Sequence, residues 1–407
     1  MAKKKKQEKW IKFRHRVVRN VASPILKLYS SIKYGIKVDR FKEQQKGQSY
    51  LILFNHQTAF DQFFVGFAFK GPVYYVASED IFSIGWVSKL IRYIVAPIPI
   101  KKQTTDVHAV MTCRKVAKEG GTIALAPEGN RTYSGKTEHI NPAIVGLIKL
   151  LKLPLAFYRL EGGYGTHPRW SDTVRKGKMR GYVSKVVTPE EYSTMTDEEI
   201  LSMVKKELYV NEGVADAEFK HKRLAEGLER AMYVCPTCGI TKFKTEKDII
   251  ECTSCGKKVR YLPSKELVGV DGEFPFRFTT EWYEYQSNFV RHLDLAPYTD
   301  TPIFEENKVT MSEVILYQKK NPIAKEATLS MFNNRFEMRY EGQTTVLPFD
   351  DVSAVTVLGK NKLNIYFNKK VWQFKGNKSM NALKFVNLFY HYKNIQANDP
   401  SGEFLGL

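Results

Sequence analysis

A chain of 407 residues and 46.9 kDa exceeds the usual size of one hydrophobic core, so two to four folding units are expected. Its 43% hydrophobic, 26% charged and 13% aromatic residues exclude a chain that is disordered over most of its length. With 63 Lys and Arg against 43 Asp and Glu, the formal net charge of +20 points to an anionic partner: a membrane surface, nucleic acid or a phosphorylated substrate.

The lysine run Lys3 to Lys6 is followed by Trp10, Lys12 and Arg14, which is not the pattern of a secretory signal. No uninterrupted apolar run reaches the roughly 20 residues that span a bilayer, so any membrane contact is expected to be peripheral. From Trp10 the apolar residues Phe13, Val17, Val21, Ile25, Leu28 and Ile32 recur in steps of three and four along one helical face, with Lys9, Lys12, Arg16, Arg19 and Lys27 on other faces. Pro24 is expected to kink or divide this helix into two pieces. A basic amphipathic helix with Trp and Phe suits the interface of an anionic membrane, and the same stripe also suits docking onto the protein's own domain. Residues 1–40 are accordingly read as a membrane-association segment on the cytoplasmic face.

Ser49 to Phe54 reads as a buried strand running into Asn55-His56-Gln57-Thr58-Ala59-Phe60-Asp61, and Gln62 to Phe69 as an apolar helix. A histidine at a strand end with an acid five positions later suits a general base and its orienting carboxylate. Thr58-x-x-Asp61 equally satisfies the pattern of a helix capping box. A second strand, Thr122 to Ala126, opens into Pro127-Glu128-Gly129-Asn130-Arg131-Thr132-Tyr133-Ser134-Gly135. This loop suits an anion: Gly129 and Gly135 allow close backbone approach, Arg131 offers a planar fork, and Thr132 and Ser134 offer hydroxyls.

Taken together, in this order and about seventy residues apart, the two motifs resemble the glycerophospholipid (lysophosphatidate, PlsC-like) acyltransferase family, with its H-x-x-x-x-D and later F-P-E-G-T-R-S blocks. The resemblance runs from about residue 35 to 225. His56, Asp61, Pro127, Glu128, Gly129 and Arg131 match, while Ala126, Asn130 and Thr132 replace Phe, Thr and Ser. Gly85-Trp86 and Ala96 to Lys102 resemble the intermediate block, with Lys102 where the family has Arg; Leu153 to Tyr158 keeps the first proline of the fourth block and lacks the second.

The resemblance implies an α/β fold, a sheet wrapped by helices, over residues 41–228. It also implies acyl transfer from acyl-CoA or acyl-carrier protein to a lysophosphatidate-like lysophospholipid, in phospholipid synthesis. His56 and Asp61 are the catalytic candidates; Glu128, Gly129, Arg131, Thr132, Lys101 and Lys102 are the substrate-binding candidates, Arg131 foremost. Glu128, itself an anion, orients Arg131 or the acceptor hydroxyl, or braces the loop through a salt bridge. Other acceptors (glycerol phosphate, another lysolipid, an amino-lipid) are runners-up. A non-catalytic lipid or nucleic-acid adaptor is the rival, and it leaves His56, Asp61 and the Pro127 to Arg131 loop unexplained. Cys113 lies in a helical pattern and reads as packing rather than as a nucleophile.

The other four cysteines, Cys235, Cys238, Cys252 and Cys255, form two C-x-x-C knuckles, each followed by Gly. This is the spacing of structural zinc with all four positions filled by sulfur, and it places the chain in a reducing cytosol. A zinc ribbon is expected over 229–265, with a structural Zn²⁺ and no catalytic cofactor. Residues 266–300 read as a connecting helix, Thr280 through Leu293, and a linker marked by Pro297 and Pro302. Beyond it, short alternating runs begin at Glu313 to Gln318 and end at Val371 to Phe374, followed by a helix over Ala382 to Tyr392. Seven strands and one helix over 301–396 resemble a pleckstrin-homology-like domain. Nucleic acid is not an expected partner.

Overall fold

The computed structural model describes residues 9–82, 86–100, 106–315, 320–399 and 401–406. Lys101, Lys102 and Gly85 lie outside them. The N-terminal part contains α1 (Phe13–Tyr34), β1 (Ile36–Val38), β2 (Leu51–Phe54), α2 (Asp61–Ala68), β3 (Val73–Ser78), α3 (Trp86–Ile94), β4 (Ile98–Ile100), α4 (Val107–Lys118) and β5 (Thr122–Leu125). It continues with α5 (Ala143–Leu151), β6 (Leu155–Glu161), α6 (Gly163–Thr166), β7 (Met179–Val187), α7 (Pro189–Ser193) and α8 (Asp197–Leu208).

These strands form one sheet in the order β1-β7-β6-β2-β5-β3-β4. The central strand β2 lies parallel to both β5 and β6, with Leu51 opposite Ile123 and Leu53 opposite Leu125. Buried on both faces, β2 is apolar at every position, as a strand covered by two helical layers must be. Leu51 and Leu53 pack into the layer of α4, α5 and α8, and Ile52 and Phe54 into the layer of α2. Because β2 and β5 are parallel neighbours, the loops leaving their C-terminal ends emerge at the same sheet edge, where open α/β sheets place ligands.

Pro24 does not divide the first helix: α1 is a single helix of 22 residues. Proline removes one hydrogen bond, to the carbonyl of Asn20, and a long helix anchored at both ends tolerates that loss. Its anchors are Trp10, whose Nε1 donates to the Ala96 carbonyl (3.0 Å), and Tyr34, buried against Phe60 and Phe64. The apolar stripe faces outward. Phe13, Val21, Ile25, Leu28 and Ile32 are 64–80% exposed, whereas His15, Ser30 and Tyr34 form the docked face. Next to α1 lies α3, with Arg14 Nε donating to the Tyr93 carbonyl at 2.8 Å, and α3 also exposes Trp86, Leu90 and Tyr93. Among the described residues, no helix is long and apolar enough to cross a membrane.

The cysteine-bearing part contains β8 (Val234–Cys235), β9 (Gly239–Ile240), β10 (Phe243–Glu246), β11 (Ile249–Cys252), β12 (Lys258–Tyr261) and β13 (Leu267–Gly269). Strands β10 to β13 form a four-stranded antiparallel sheet, and β8 pairs with β9. Helix α9 (Thr279–Arg291) is no mere connector. Its Trp282, Tyr283, Gln286 and Val290 are buried, and Gln286 accepts from the backbone N–H groups of Tyr233 (2.7 Å) and Val234 (3.2 Å) while donating to the Ala231 carbonyl.

The C-terminal region contains β14 (Phe304–Glu313), β15 (Asn321–Met331), β16 (Arg335–Tyr340), β17 (Gln343–Pro348), β18 (Val352–Leu358), β19 (Lys362–Phe367), β20 (Lys370–Lys375) and α10 (Leu383–Gln396). They make a seven-stranded antiparallel sheet packed against α10. The first strand ends at Glu313, where the sequence pattern has it begin; residues 316–319 lie outside the described set. The polar stretch Glu305 to Lys308 masks β14 in the sequence, since only Phe304, Val309 and Met311 face inward. One hydrophobic cluster joins Tyr133, Tyr164 and Trp170 of the N-terminal part to the cysteine-bearing part and the C-terminal sheet. The sequence boundary near residue 300 is therefore not a gap in packing.

Candidate functional site

Immediately after β2, the chain turns so that Asp61, at the first position of α2, reaches back over the loop it closes. Its Oδ2 accepts from His56 Nδ1 (2.8 Å), Gln57 N (2.6 Å) and Thr58 N (2.9 Å), and its Oδ1 accepts from the Thr58 hydroxyl (2.5 Å). Asp61 thus orients the ring, but Thr58 and Asp61 form no helix capping box: α2 starts at Asp61 itself with Phe60 as its N-cap, and the Thr58 hydroxyl accepts from the Phe60 N–H (3.1 Å). Asn55 fixes the strand end: its side chain exchanges two hydrogen bonds with Leu160 of β6, at 2.9 and 2.8 Å.

The loop after β5 closes on the same histidine from the other side. Glu128 Oε1 accepts from the His56 N–H (2.9 Å), and Thr132 N–H donates to the His56 carbonyl (3.1 Å). The two motifs, 72 positions apart, therefore hold the His56 backbone between them. The His56 side chain is 25% exposed. Burial lowers its pKa, opposed by the bond to Asp61 and reinforced by the nearby Arg131 and Arg169. With Nδ1 donating to Asp61, the neutral ring presents the Nε2 lone pair outward, the state a general base requires.

Two expected side-chain roles differ from what the structure places. Glu128 reaches neither Arg131 nor open space; its second oxygen accepts from Glu138 N–H (3.2 Å), and it braces backbone rather than another side chain's charge. Thr132 and Ser134 turn their hydroxyls inward, Thr132 to the Lys136 carbonyl (2.7 Å) and Ser134 to Glu138 (2.7 Å). The second half of this loop, Thr132 to Gly135, is buried and must satisfy its own backbone, and its short polar side chains do so. Gly129 meets the expectation of an open approach: at φ +69°, a Cβ there would meet nothing within 4 Å. Gly135, at φ +92°, packs against Tyr164, whose ring would lie 2.8 Å from an added Cβ.

Burial pushes Glu128 up to about 8, well above its ordinary 4.5, so it carries a proton at neutral pH. The folded state therefore binds an extra proton between those two values, and Glu128 makes stability fall as pH rises through that window. A pH series of thermal unfolding midpoints checks this: the advantage of Glu128→Gln over the parent grows between pH 5 and 8 and levels off above 9.

Arg131 has Nη1 buried without a partner, and burial next to Arg169 lowers its pKa to about 10. Arg169, itself buried, donates to the Arg131 carbonyl (3.0 Å) and to the Val357 carbonyl of β18 (3.2 Å), and stacks 4.3 Å above the Tyr133 ring. Among the described residues neither guanidinium pairs with a carboxylate. His167 lies close by, held neutral by burial and the cations around it with its pKa lowered to about 4, and its ring is 6.0 Å from that of Tyr34. Sequence reasoning missed Arg169, His167 and Tyr34, which lie outside both motifs and carry no local signal; Asn55 stood beside His56 in the first motif's stretch without being assigned its anchoring role. Lys101 and Lys102 fall outside the described residues.

A family model described as acyltransferase matches residues 35–156, the span that holds both motifs. Over this span the chain matches an acyltransferase domain. The chain is similar to a 1-acyl-sn-glycerol-3-phosphate acyltransferase of Bacillus subtilis (strain 168), at 21% identity over 200 residues, covering 49% of this chain and 96% of the relative. It is also similar in structure to the 1-acyl-sn-glycerophosphate (LPA) acyltransferase PlsC from Thermotoga maritima, with a TM-score of 0.40 and 19% identity, covering 47% of this chain and 78% of that one. Within the acyltransferase domain, Cys113 is buried and burial pushes its thiol up to about 12, which leaves no thiolate for a covalent route.

The four remaining cysteines gather at the knuckles of the second part. Their sulfur atoms all lie within 4.8 Å of one another, Cys235 to Cys255 at 3.8 Å and Cys238 to Cys252 at 4.0 Å. A tetrahedron with Zn–S bonds of about 2.3 Å has edges of about 3.8 Å, so this donor set fits zinc. Among the described residues, none of the four cysteines hydrogen-bonds to His56. The link to the acyltransferase loop runs instead through α9, where Thr280 Oγ1 donates to the Ser134 carbonyl (2.9 Å) and Thr279 meets the Tyr164 hydroxyl (2.8 Å).

Proposed function

We propose that the protein is a 1-acylglycerol-3-phosphate O-acyltransferase-like enzyme, moving an acyl group from acyl-CoA or acyl-carrier protein to the free hydroxyl of a lysophosphatidate-like acceptor. The observation that carries this reading is His56 clamped between Asp61, Glu128 and Thr132 at the shared edge of β2 and β5, beside an Arg131 whose Nη1 is unpartnered. The acceptor hydroxyl gives its proton to His56 Nε2 as its oxygen attacks the thioester carbonyl. The carbon–sulfur bond then breaks, and the departing thiolate takes that proton from His56, leaving an ester and a thiol. Asp61 stabilises the transient imidazolium, and Arg131 grips the acceptor phosphate.

The outward apolar stripe of α1, continued by α3 and rimmed by lysines and arginines, supports a peripheral seat on an anionic, cytoplasmic membrane face. The four cysteines would hold a structural zinc, and the antiparallel sheet with α10 is read as a pleckstrin-homology-like domain of supporting role. Arg169 ties that domain to the headgroup grip. Arg169→Gln is expected to raise the acceptor KM about tenfold, the loss of a charged hydrogen bond, with the thioester KM unchanged; steady-state kinetics in both substrates checks it.

The deciding experiment measures thioester consumption against lysophosphatidate, glycerol phosphate, lysophosphatidylcholine and an amino-lipid. Turnover highest with lysophosphatidate supports the proposal. No turnover with any acceptor, together with steeply salt-dependent nucleic-acid binding, overturns it in favour of an adaptor.

A further inference from the structure

Away from His56, a groove of 660 Å³ lies between α1 and the C-terminal end of α2, a volume typical of small-molecule sites. Its floor is apolar, with Phe41 and Phe67 buried, and its walls carry Arg19, Lys27, Arg40 and Lys70 with no carboxylate among the lining residues. Among the described residues none of these four cations is in an ion pair. Arg19 donates to the Phe69 carbonyl (2.6 Å) and to Asn20 (3.1 Å), while its buried Nε has no partner. Burial and the nearby Arg40 lower its pKa, as expected of cations crowded without an anion.

Leu28 belongs both to this groove and to the outward apolar stripe of α1, so the groove opens beside the surface read above as membrane-facing. An occupant must then be acidic at one end and apolar along its length. We infer that the groove binds one anionic phospholipid, its phosphate among Arg19, Arg40, Lys27 and Lys70 and an acyl chain along the phenylalanine floor. The site is separate from the catalytic edge and would seat the enzyme on acidic membranes before any acceptor is captured. The inference rests on the membrane-facing reading of α1 and is independent of acyl transfer.

The test uses the full chain and lipids below their micelle concentration, so that a site is read rather than a surface. Calorimetric titration with dihexanoyl phosphatidylglycerol should saturate at one per chain, at least ten times tighter than dihexanoyl phosphatidylcholine. Arg40→Gln should weaken it about fivefold, the effect of about 1 kcal/mol per basic group. Ser31→Trp, which fills the groove from its exposed α1 wall without altering charge, should abolish it. Lys222→Gln, an equal loss of charge at a site away from the groove, should change nothing, and neither should Arg131→Gln, which separates this site from the acceptor site. Unfolding midpoints equal to the parent's show that the variants are folded. Equal binding of both lipids, an equal effect of Lys222→Gln, or loss with Arg131→Gln overturns the inference. Inorganic phosphate binding as tightly as the lipid, or coenzyme A displacing it, overturns the lipid assignment in favour of a simple anion site or a donor site.

Discussion

Replacing His56 with alanine should lower kcat by about two to four orders of magnitude, the typical contribution of a positioned general base, while leaving the fold intact. The side chain is partly exposed and, among the described residues, hydrogen-bonds to Asp61 alone, whereas the structural work at this position belongs to its backbone, held by Glu128 and Thr132. Those backbone bonds survive the substitution. The thioester KM should stay within a few-fold, and the acid limb of the pH profile, set in the parent by His56 losing its proton, should vanish. Asp61→Asn should behave differently: an amide cannot accept from Nδ1, Gln57 and Thr58 together as a carboxylate does, so both rate and thermal stability fall. Measuring kcat and unfolding midpoints for the two variants separates the roles. Parental turnover in His56→Ala would remove the base assignment altogether.

Removing metal from the cysteine cluster should have the largest effect on stability. Structural zinc in small modules contributes on the order of 10 kcal/mol or more to folding, and here Cys235 and Cys252 lie in the same hydrophobic cluster as Phe243, Ile250, Val259 and Trp282. Without a metal, the four sulfurs within 4.8 Å of one another lose the ion that would join the two knuckles, and Cys238 and Cys255, both exposed, have no core packing to replace it. Metal analysis should find one zinc per chain. Chelation should expose four reactive thiols, lower the unfolding midpoint steeply and diminish acyl transfer, because α9 loses its support and with it the Thr280 bond to Ser134. Cys252→Ser should reproduce this without chelator. A metal-free chain with parental stability would refute the zinc proposal.

How much was legible beforehand follows from the range of each signal. His56 and Asp61 are five residues apart and their pairing is a local event, so the contact was readable from spacing, while the catalytic reading needed the second motif at Pro127 to Arg131 beside it. The cysteine knuckles were likewise readable, because metal geometry demands short, regular intervals. Periodicity found the stripe of α1, since side-chain direction repeats with the pitch of the element. The division expected at Pro24 does not occur, because a local rule about one hydrogen bond was set against anchors at Trp10 and Tyr34 that only tertiary contact supplies.

The sequence by itself therefore determined which residues are the candidates for chemistry: an imidazole with its carboxylate, an arginine in an anion-ready loop, and four sulfurs at metal spacing. Only the tertiary structure decided their partners. The parallel pairing of β2 with β5 made Glu128 a brace for the His56 backbone, and packing across one continuous core brought Arg169 and β18 to Arg131. The outward direction of the α1 stripe belongs with these, because an amphipathic pattern states that a face is apolar and only packing decides what that face meets.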